Sequence, residues 1–208
     1  SVLGPLLFLV YINDIVNVVH NCHVRLFADD TCLFIEIETK DITETKINED
    51  LDHIHNWANC WLINFSAQKT KTLTIGNKNI PPCNITFQNS AIEEVDDHKH
   101  LGLTLASNLR WTKHITSIQT KAKKQINILK QLKFKLDRKS LETIYFSFIR
   151  PTIEYADCIW YGTYDSELEK LDQIQIDAMR VVSGATAKSN TNNLYEELAW
   201  PTLHQRRL

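Results

Sequence analysis

The segment from Arg25 to Phe34, Arg-Leu-Phe-Ala-Asp-Asp-Thr-Cys-Leu-Phe, sets the strongest local constraint on the fold. Two apolar runs meet there at a pair of adjacent carboxylates. The runs carry the β-branched, aromatic and aliphatic content of strands. Aspartate suits a tight turn because its side chain can hydrogen-bond nearby backbone. The stretch therefore predicts a β-hairpin over residues 24–37 with Asp29 and Asp30 at its tip. Two carboxylates this close repel one another, and a hard divalent ion with oxygen ligands, Mg²⁺ or Mn²⁺, resolves that conflict. Paired ions of this kind clamp the attacking and leaving oxygens of a phosphoryl displacement. Taken alone, the pair also suits a merely polar turn.

A chain of 208 residues can build a substantial core as one domain or two smaller ones. Its 43% hydrophobic and 23% charged content is that of an ordinary globular protein. Five cysteines show no paired CxxC spacing, and the odd number predicts reduced intracellular thiols rather than a disulfide framework. The apolar run over residues 5–12 is too short to cross a membrane and lacks the flanks of a signal peptide. The net charge of −2 conceals a division along the chain. Residues 1–109 carry −7, residues 110–150 carry +9 and residues 151–208 carry −4. An acidic segment with a candidate metal-binding pair, followed by a strongly basic one, suits a protein that acts on nucleic acid.

In chain order, residues 6–19 are mostly apolar and predict a buried helix. Residues 41–65 predict a long amphipathic helix with a stripe of Ile47, Leu51, Ile54, Trp57, Ala58 and Trp61. Asp41 is its expected N-cap, with Glu44 at capping-box spacing, and both tryptophans are expected in the core. Residues 70–75 alternate as a strand, and residues 77–84, with Pro81-Pro82, read as a loop. Short strands are expected around Asn89-Ser90. Residues 111–135 predict a second amphipathic helix. Its apolar stripe is Ile115, Ile118, Ala122, Ile126 and Leu129, and Lys113, Lys121 and Lys124 lie well away from it. Further helices are expected at 140–149, with a break or kink at Pro151, at 167–182, and from 194. The aromatics from Tyr145 to Trp160 read as helix-packing core.

Several of these segments carry a family likeness. Phe27-Ala28-Asp29-Asp30 resembles the aromatic-Ala-Asp-Asp box of reverse transcriptases from non-LTR, LINE-type, jockey-like retrotransposons. Ser1-Val2-Leu3-Gly4-Pro5-Leu6-Leu7-Phe8 with Tyr11-Ile12-Asn13-Asp14 resembles the block before that box. Trp61 to Lys71 is similar to the block in which a Lys, here Lys69, opens a strand near the incoming nucleotide. His98-Lys99-His100-Leu101-Gly102-Leu103 resembles the hairpin box that supports the primer end, with His100 where Tyr is usual. Trp200-Pro201-Thr202-Leu203 with Arg206-Arg207 is similar to the family's ending.

The resemblance implies an α+β fold. Residues 1–108 would be the C-terminal part of a polymerase palm, an antiparallel sheet backed by helices. Residues 109–208 would be an all-helical thumb. It also implies RNA-directed DNA polymerisation by a two-metal mechanism. Asp29 and Asp30 would be metal ligands using Mg²⁺ or Mn²⁺, and Lys69 a catalytic partner for the phosphates. Leu101 and Gly102 would form a primer-grip-like turn. Lys113, Lys121, Lys123, Lys124 and Lys130 would contact the phosphates of an RNA template and DNA primer. Deoxynucleoside triphosphates are the implied substrates, the nucleus the implied location, and no membrane is involved. The chain begins within a motif, so upstream palm, fingers and endonuclease regions are expected, including a further metal-binding Asp. A fragment without that Asp is expected not to polymerise alone. The other reading is a catalytically inactive relic that still binds nucleic acid.

Overall fold

The computed structural model describes residues 2–76 and 83–207 and divides them into two compact units, Ser1–His98 and Lys99–Leu208. Most of the expected 77–84 loop, including Pro81-Pro82, lies outside the described residues. The chain mixes helices with short strand pairs, in keeping with an α+β class. Among the described residues the strands form four two-stranded sheets, one of them parallel, where the resemblance implied an antiparallel sheet.

In the first unit, α1 (Leu3–Ile12) passes into a 3₁₀ turn over Asn13–Val18. The expected buried helix at 6–19 is therefore shorter and mostly exposed. Only Ile12 and Ile15 enter the core fully, because apolar residues surround α1 while its packing partners cover one side. A hairpin follows, β1 (His23–Phe27) and β2 (Asp30–Phe34), close to the expected span. Next, α2 (Lys40–Trp61) buries Leu51, Ile54, Trp57 and Ala58 against Ile12, Ile15, Ile85 and Phe87.

The start of α2 differs from expectation. Thr39, not Asp41, is the N-cap, and its hydroxyl accepts from the Ile42 amide at 3.4 Å. Glu44 instead accepts from the Asn84 amide at 3.0 Å. The helix ends at Trp61, four residues early, because Leu62 turns left-handed at φ 56°. Trp61 is 39% exposed and not core. It packs at the rim, edge-on to Tyr11 with ring centroids 5.2 Å apart, and its carbonyl accepts the Tyr11 hydroxyl.

The 70–75 strand reduces to β3 (Lys71–Thr72), which pairs in parallel with β6 (Glu93–Glu94). Between them, β4 (Thr86–Phe87) and β5 (Ser90–Ala91) form the expected small hairpin. Its turn falls at Gln88-Asn89, one residue before the expected Asn89-Ser90, and both turn residues have positive φ, 52° and 59°, as a two-residue turn with matching twist requires.

β7 (Asp97–His100) leads into the second unit and pairs with β8 (Leu103–Ala106). Every described element beyond them is helical. α3 (Thr112–Leu132) packs along α7 (Asp165–Ser183), with the predicted stripe Ile115, Ile118, Ala122, Ile126 and Leu129 fully inside. α4 (Arg138–Ile144) runs without a break into a π-turn over Tyr145–Ile149 and then α5 (Arg150–Glu154). The sequence placed a kink at Pro151. The distortion lies just before it, because Pro151 donates no backbone hydrogen bond and its ring crowds the preceding turn. The wider coil accommodates this, with the Arg150 amide donating to the Tyr145 carbonyl five residues back. α6 (Asp157–Trp160), α8 (Thr191–Leu198) and α9 (Leu203–Arg207) complete the unit. Gln175 locks its centre by accepting from the Tyr145 hydroxyl at 3.0 Å and donating to the Pro201 carbonyl at 2.8 Å. Of the aromatics expected in this core, Tyr145 and Trp160 are buried, whereas Phe148 and Tyr155 are exposed. No helix of the described residues is long and apolar enough to cross a membrane.

Candidate active site and nucleic-acid interface

The hairpin β1–β2 pairs Phe27 with Asp30, leaving Ala28 and Asp29 as a two-residue turn. Alternation along the strands sends Leu26 and Leu33 toward the core of the first unit and Asp30 to the opposite face. Asp29 and Asp30 thus stand side by side at an exposed tip whose inner face is anchored by packing. Ala28 takes φ 51°, a left-handed conformation that costs an alanine roughly 1–2 kcal/mol. Their donor set is oxygen only, which matches a hard divalent ion held by one or two carboxylates plus substrate phosphates. Among the described residues, no group of three His, Cys, Asp or Glu side chains is placed to hold a metal.

The root of this hairpin is tied down by a residue that sequence reasoning missed. Asp50 of α2 has no exposed surface. Its carboxylate accepts the backbone amides of His20, Asn21 and Cys22 at 3.0, 2.9 and 2.7 Å, just where the chain enters β1. Burial pushes the Asp50 pKa up, but the three amides and the Cys22 thiol outweigh it and hold the carboxyl below its usual range. Burial and the same carboxylate push the Cys22 thiol up to about 12. A signal was present. Asp50 lies four residues before Ile54 and seven before Trp57, on the apolar arc of α2 and not on its acidic face.

Lys69 is exposed in the turn before β3, where its amide donates to the Ser66 carbonyl at 3.1 Å. It makes no side-chain hydrogen bond or ion pair among the described residues.

In the second unit, Leu101 and Gly102 form the two-residue turn of β7–β8, with φ 46° and 84°. Tyr155 closes over this turn. Its hydroxyl donates to the Leu101 carbonyl at 2.9 Å, and a Cβ added at Gly102 would stand 2.9 Å from its ring. Tyr155 is fixed in turn by Trp160, whose indole donates to the Tyr155 carbonyl at 3.0 Å. On the other side, buried His114 of α3 accepts the Thr104 amide at 3.2 Å through Nδ1. Burial, reinforced by the charge of Lys99, pushes the His114 pKa down, so the ring stays neutral and Nδ1 remains an acceptor. The sequence placed Tyr155 in the helix-packing core rather than over this turn, and His114 was not singled out.

The five lysines of α3 are all exposed and fall into two sets. Lys113, Lys121 and Lys124 share a shallow groove with Thr116, Ser117 and Thr120, opposite the buried stripe. Lys123 and Lys130 lie on the adjoining flank, roughly a quarter-turn round the helix.

Comparison with known proteins identifies the family. The family model for reverse transcriptase (RNA-dependent DNA polymerase) matches residues 1–129, and the chain belongs to that family. Its affinity within the family is to the non-LTR, jockey-like elements. It is 27% identical over 213 residues to the RNA-directed DNA polymerase from mobile element jockey of Drosophila melanogaster, covering 98% of this chain and 23% of that protein. The probable RNA-directed DNA polymerase from transposon X-element of the same fly is 25% identical over 210 residues, with the same coverage. The jockey polymerase of Drosophila funebris is also 25% identical, over 214 residues, 98% of this chain and 23% of that protein. The chain therefore spans about a quarter of the length of these relatives. No solved structure gives a significant match.

Proposed function

We propose that this chain is the part of an RNA-directed DNA polymerase that carries the metal-binding hairpin, the primer-supporting turn and the thumb. Residues 1–108 are assigned to the palm and residues 109–208 to the thumb. The observation that carries the reading is the pair Asp29 and Asp30, exposed side by side at the tip of a hairpin whose other face packs half-buried against the core. In the parent reaction a primer 3′-hydroxyl attacks the α-phosphate of a deoxynucleoside triphosphate and pyrophosphate leaves. Mg²⁺, or Mn²⁺ in its place, would when bound supply charge neutralisation at the reacting oxygens. Asp29 and Asp30 supply carboxylate oxygens for that ion. Lys69 supplies a positive charge for the triphosphate. Leu101 and Gly102 support the primer end. Lys113, Lys121, Lys123, Lys124 and Lys130 bind phosphates of the RNA template and DNA primer, positioning the duplex without reading its sequence. With only two acids at the hairpin tip, the chain by itself binds nucleic acid but does not extend a primer. Further palm, fingers and endonuclease regions of a longer protein, and action in the nucleus, belong to the same proposal.

The test is fluorescence anisotropy with a labelled RNA–DNA hybrid across a salt series. Replacing Lys121, Lys123 and Lys124 with Gln should weaken binding and flatten the log–log salt dependence by about 2–3, using a slope of about 0.9 per duplex phosphate contact. Mn²⁺ should broaden the amide resonances of residues 27–31, and Asp29→Asn should abolish this. An unchanged salt slope would overturn the thumb assignment, and metal broadening that survives Asp29→Asn would overturn the metal assignment.

A further inference from the structure

The turn between α3 and α4 presents an aromatic ring that folding does not use. Phe134 is 87% exposed. It does not sit on a loose loop, because the Lys135 and Leu136 amides both donate to the Leu132 carbonyl, at 2.8 and 3.0 Å. Asp137 then closes the turn by accepting the Ser140 amide at 2.9 Å as the N-cap of α4. Burying a Phe side chain is worth about 1.5–3 kcal/mol, and almost none of that is realised here.

The sequence on either side of the ring is strongly basic. Residues 130–139 hold Lys130, Lys133, Lys135, Arg138 and Lys139 against Asp137 alone. Arg138 is occupied by Glu142 and Glu197. The four lysines make no ion pair among the described residues. Lys133 lies over the Phe134 ring, its Nζ 5.1 Å from the centroid, which places a cation beside the stacking surface.

A flat apolar surface flanked by free cations fits one kind of partner well, a nucleobase carried between phosphates. Phe has no hydrogen-bonding group, so such a contact stacks without selecting a base. The position is informative too. The stretch of α3 from Lys113 to Lys130 is about 25 Å long, the rise of roughly seven base pairs, and the turn lies at its far end. We infer that Phe134 stacks on an unpaired base at the end of a duplex lying along α3, while Lys133, Lys135 and Lys139 hold the flanking phosphates. This inference rests in part on the nucleic-acid reading of α3 above. It adds a single-strand contact that the α3 lysines do not supply.

The experiment compares three labelled probes by anisotropy: a blunt RNA–DNA hybrid, the same hybrid with a five-nucleotide single-stranded overhang, and a single-stranded oligonucleotide. Stacking on one base predicts that Phe134→Ala weakens binding to the overhang and single-stranded probes by about 5- to 160-fold. Blunt-hybrid affinity and the salt slope should stay as in the wild type, because no charge is removed. Phe134→Trp should restore affinity. The melting temperature should not change, since the ring is outside the core. Equal binding of wild type and Phe134→Ala to the overhang probe would overturn the inference, as would an equal loss on blunt and overhang probes. A wild-type chain that binds no single strand would also overturn it. So would self-association abolished by Phe134→Ala with nucleic-acid binding intact, which would assign the ring to a second copy. If Phe134→Ala behaves as expected but Lys121→Gln with Lys124→Gln leaves blunt-hybrid binding unaltered, the α3 reading alone fails.

Discussion

Replacing Asp50 with Ala should destabilise the first unit more than any change at the hairpin tip. The substitution removes the acceptor for three backbone amides, each bound to a fully buried carboxylate. A hydrogen bond to a charged group contributes about 1.5–3 kcal/mol. His20 is exposed, so water can take over its amide; Asn21 and Cys22 are half-buried and resolvate less well. Counting those two near the low end gives a loss of about 3–4 kcal/mol. The better helix propensity of Ala returns up to about 0.7 kcal/mol, leaving about 3. For a slope of about 1.5–2 kcal/mol per molar urea, the midpoint should fall by about 1.5–2 M. Asp50→Asn keeps one acceptor oxygen and should lose about half as much. The pH dependence has a definite sign. The folded pKa of Asp50 is depressed, so its contribution is present above the unfolded value of about 3.9 and is lost as pH falls through the folded value. Wild type and Asp50→Ala should therefore differ most near neutral pH and converge below about pH 4. Urea titrations at pH 7 and pH 3, with hydrogen exchange of the β1 amides as a local readout, test both points. A variant within 0.5 kcal/mol of wild type at pH 7, or a gap that persists undiminished at pH 3, would refute the reasoning.

The hairpin turn offers a gain in place of a loss. Ala28→Gly relieves the cost of φ 51° and should stabilise the hairpin by up to about 1 kcal/mol after the entropy of the unfolded glycine is subtracted, seen as a rise of a few degrees in melting temperature. A fall would mean that the Ala28 methyl packs more than its position suggests. At the second hairpin, Tyr155→Phe removes one exposed hydrogen bond and should cost about 0.5–1.5 kcal/mol. Gly102→Ala combines φ 84° with a 2.9 Å approach to the Tyr155 ring and should cost more, about 2 kcal/mol. Exchange rates of the 103–106 amides report both, and adding Tyr155→Ala to Gly102→Ala should recover only the steric part.

How far the sequence could be read depended on the range of the interaction. The Asp29–Asp30 hairpin and the small hairpin after it were legible because turn chemistry and strand alternation involve neighbours, although the second turn falls at Gln88-Asn89, one residue before the expected Asn89-Ser90. The buried stripe of α3 was legible because its period is set by the helix itself. The N-cap of α2 was misplaced by two residues, because Thr39 and Asp41 are both good caps and the preceding chain path decides between them. The break near Pro151 was expected, but its form, a π-turn that keeps the helix continuous, depends on how Tyr145 and Ile149 pack. The all-apolar α1 segment read as buried, and it stands mostly exposed because local hydrophobicity does not say what lies opposite.

By itself, then, the sequence determined the family, the order of the main elements, the charge division and the two carboxylates at a turn. These properties live in short strings and local periods. The tertiary structure decided which side chains hold those elements in place. Asp50 meets amides 28 to 30 residues away, and Tyr155 reaches Leu101 across 54. It also decided that Trp61 and Phe134, apolar in every local reading, face outward. Such pairings have no period in the chain. They exist only once loop closure has brought distant backbone together and the packed cores have fixed which faces remain uncovered.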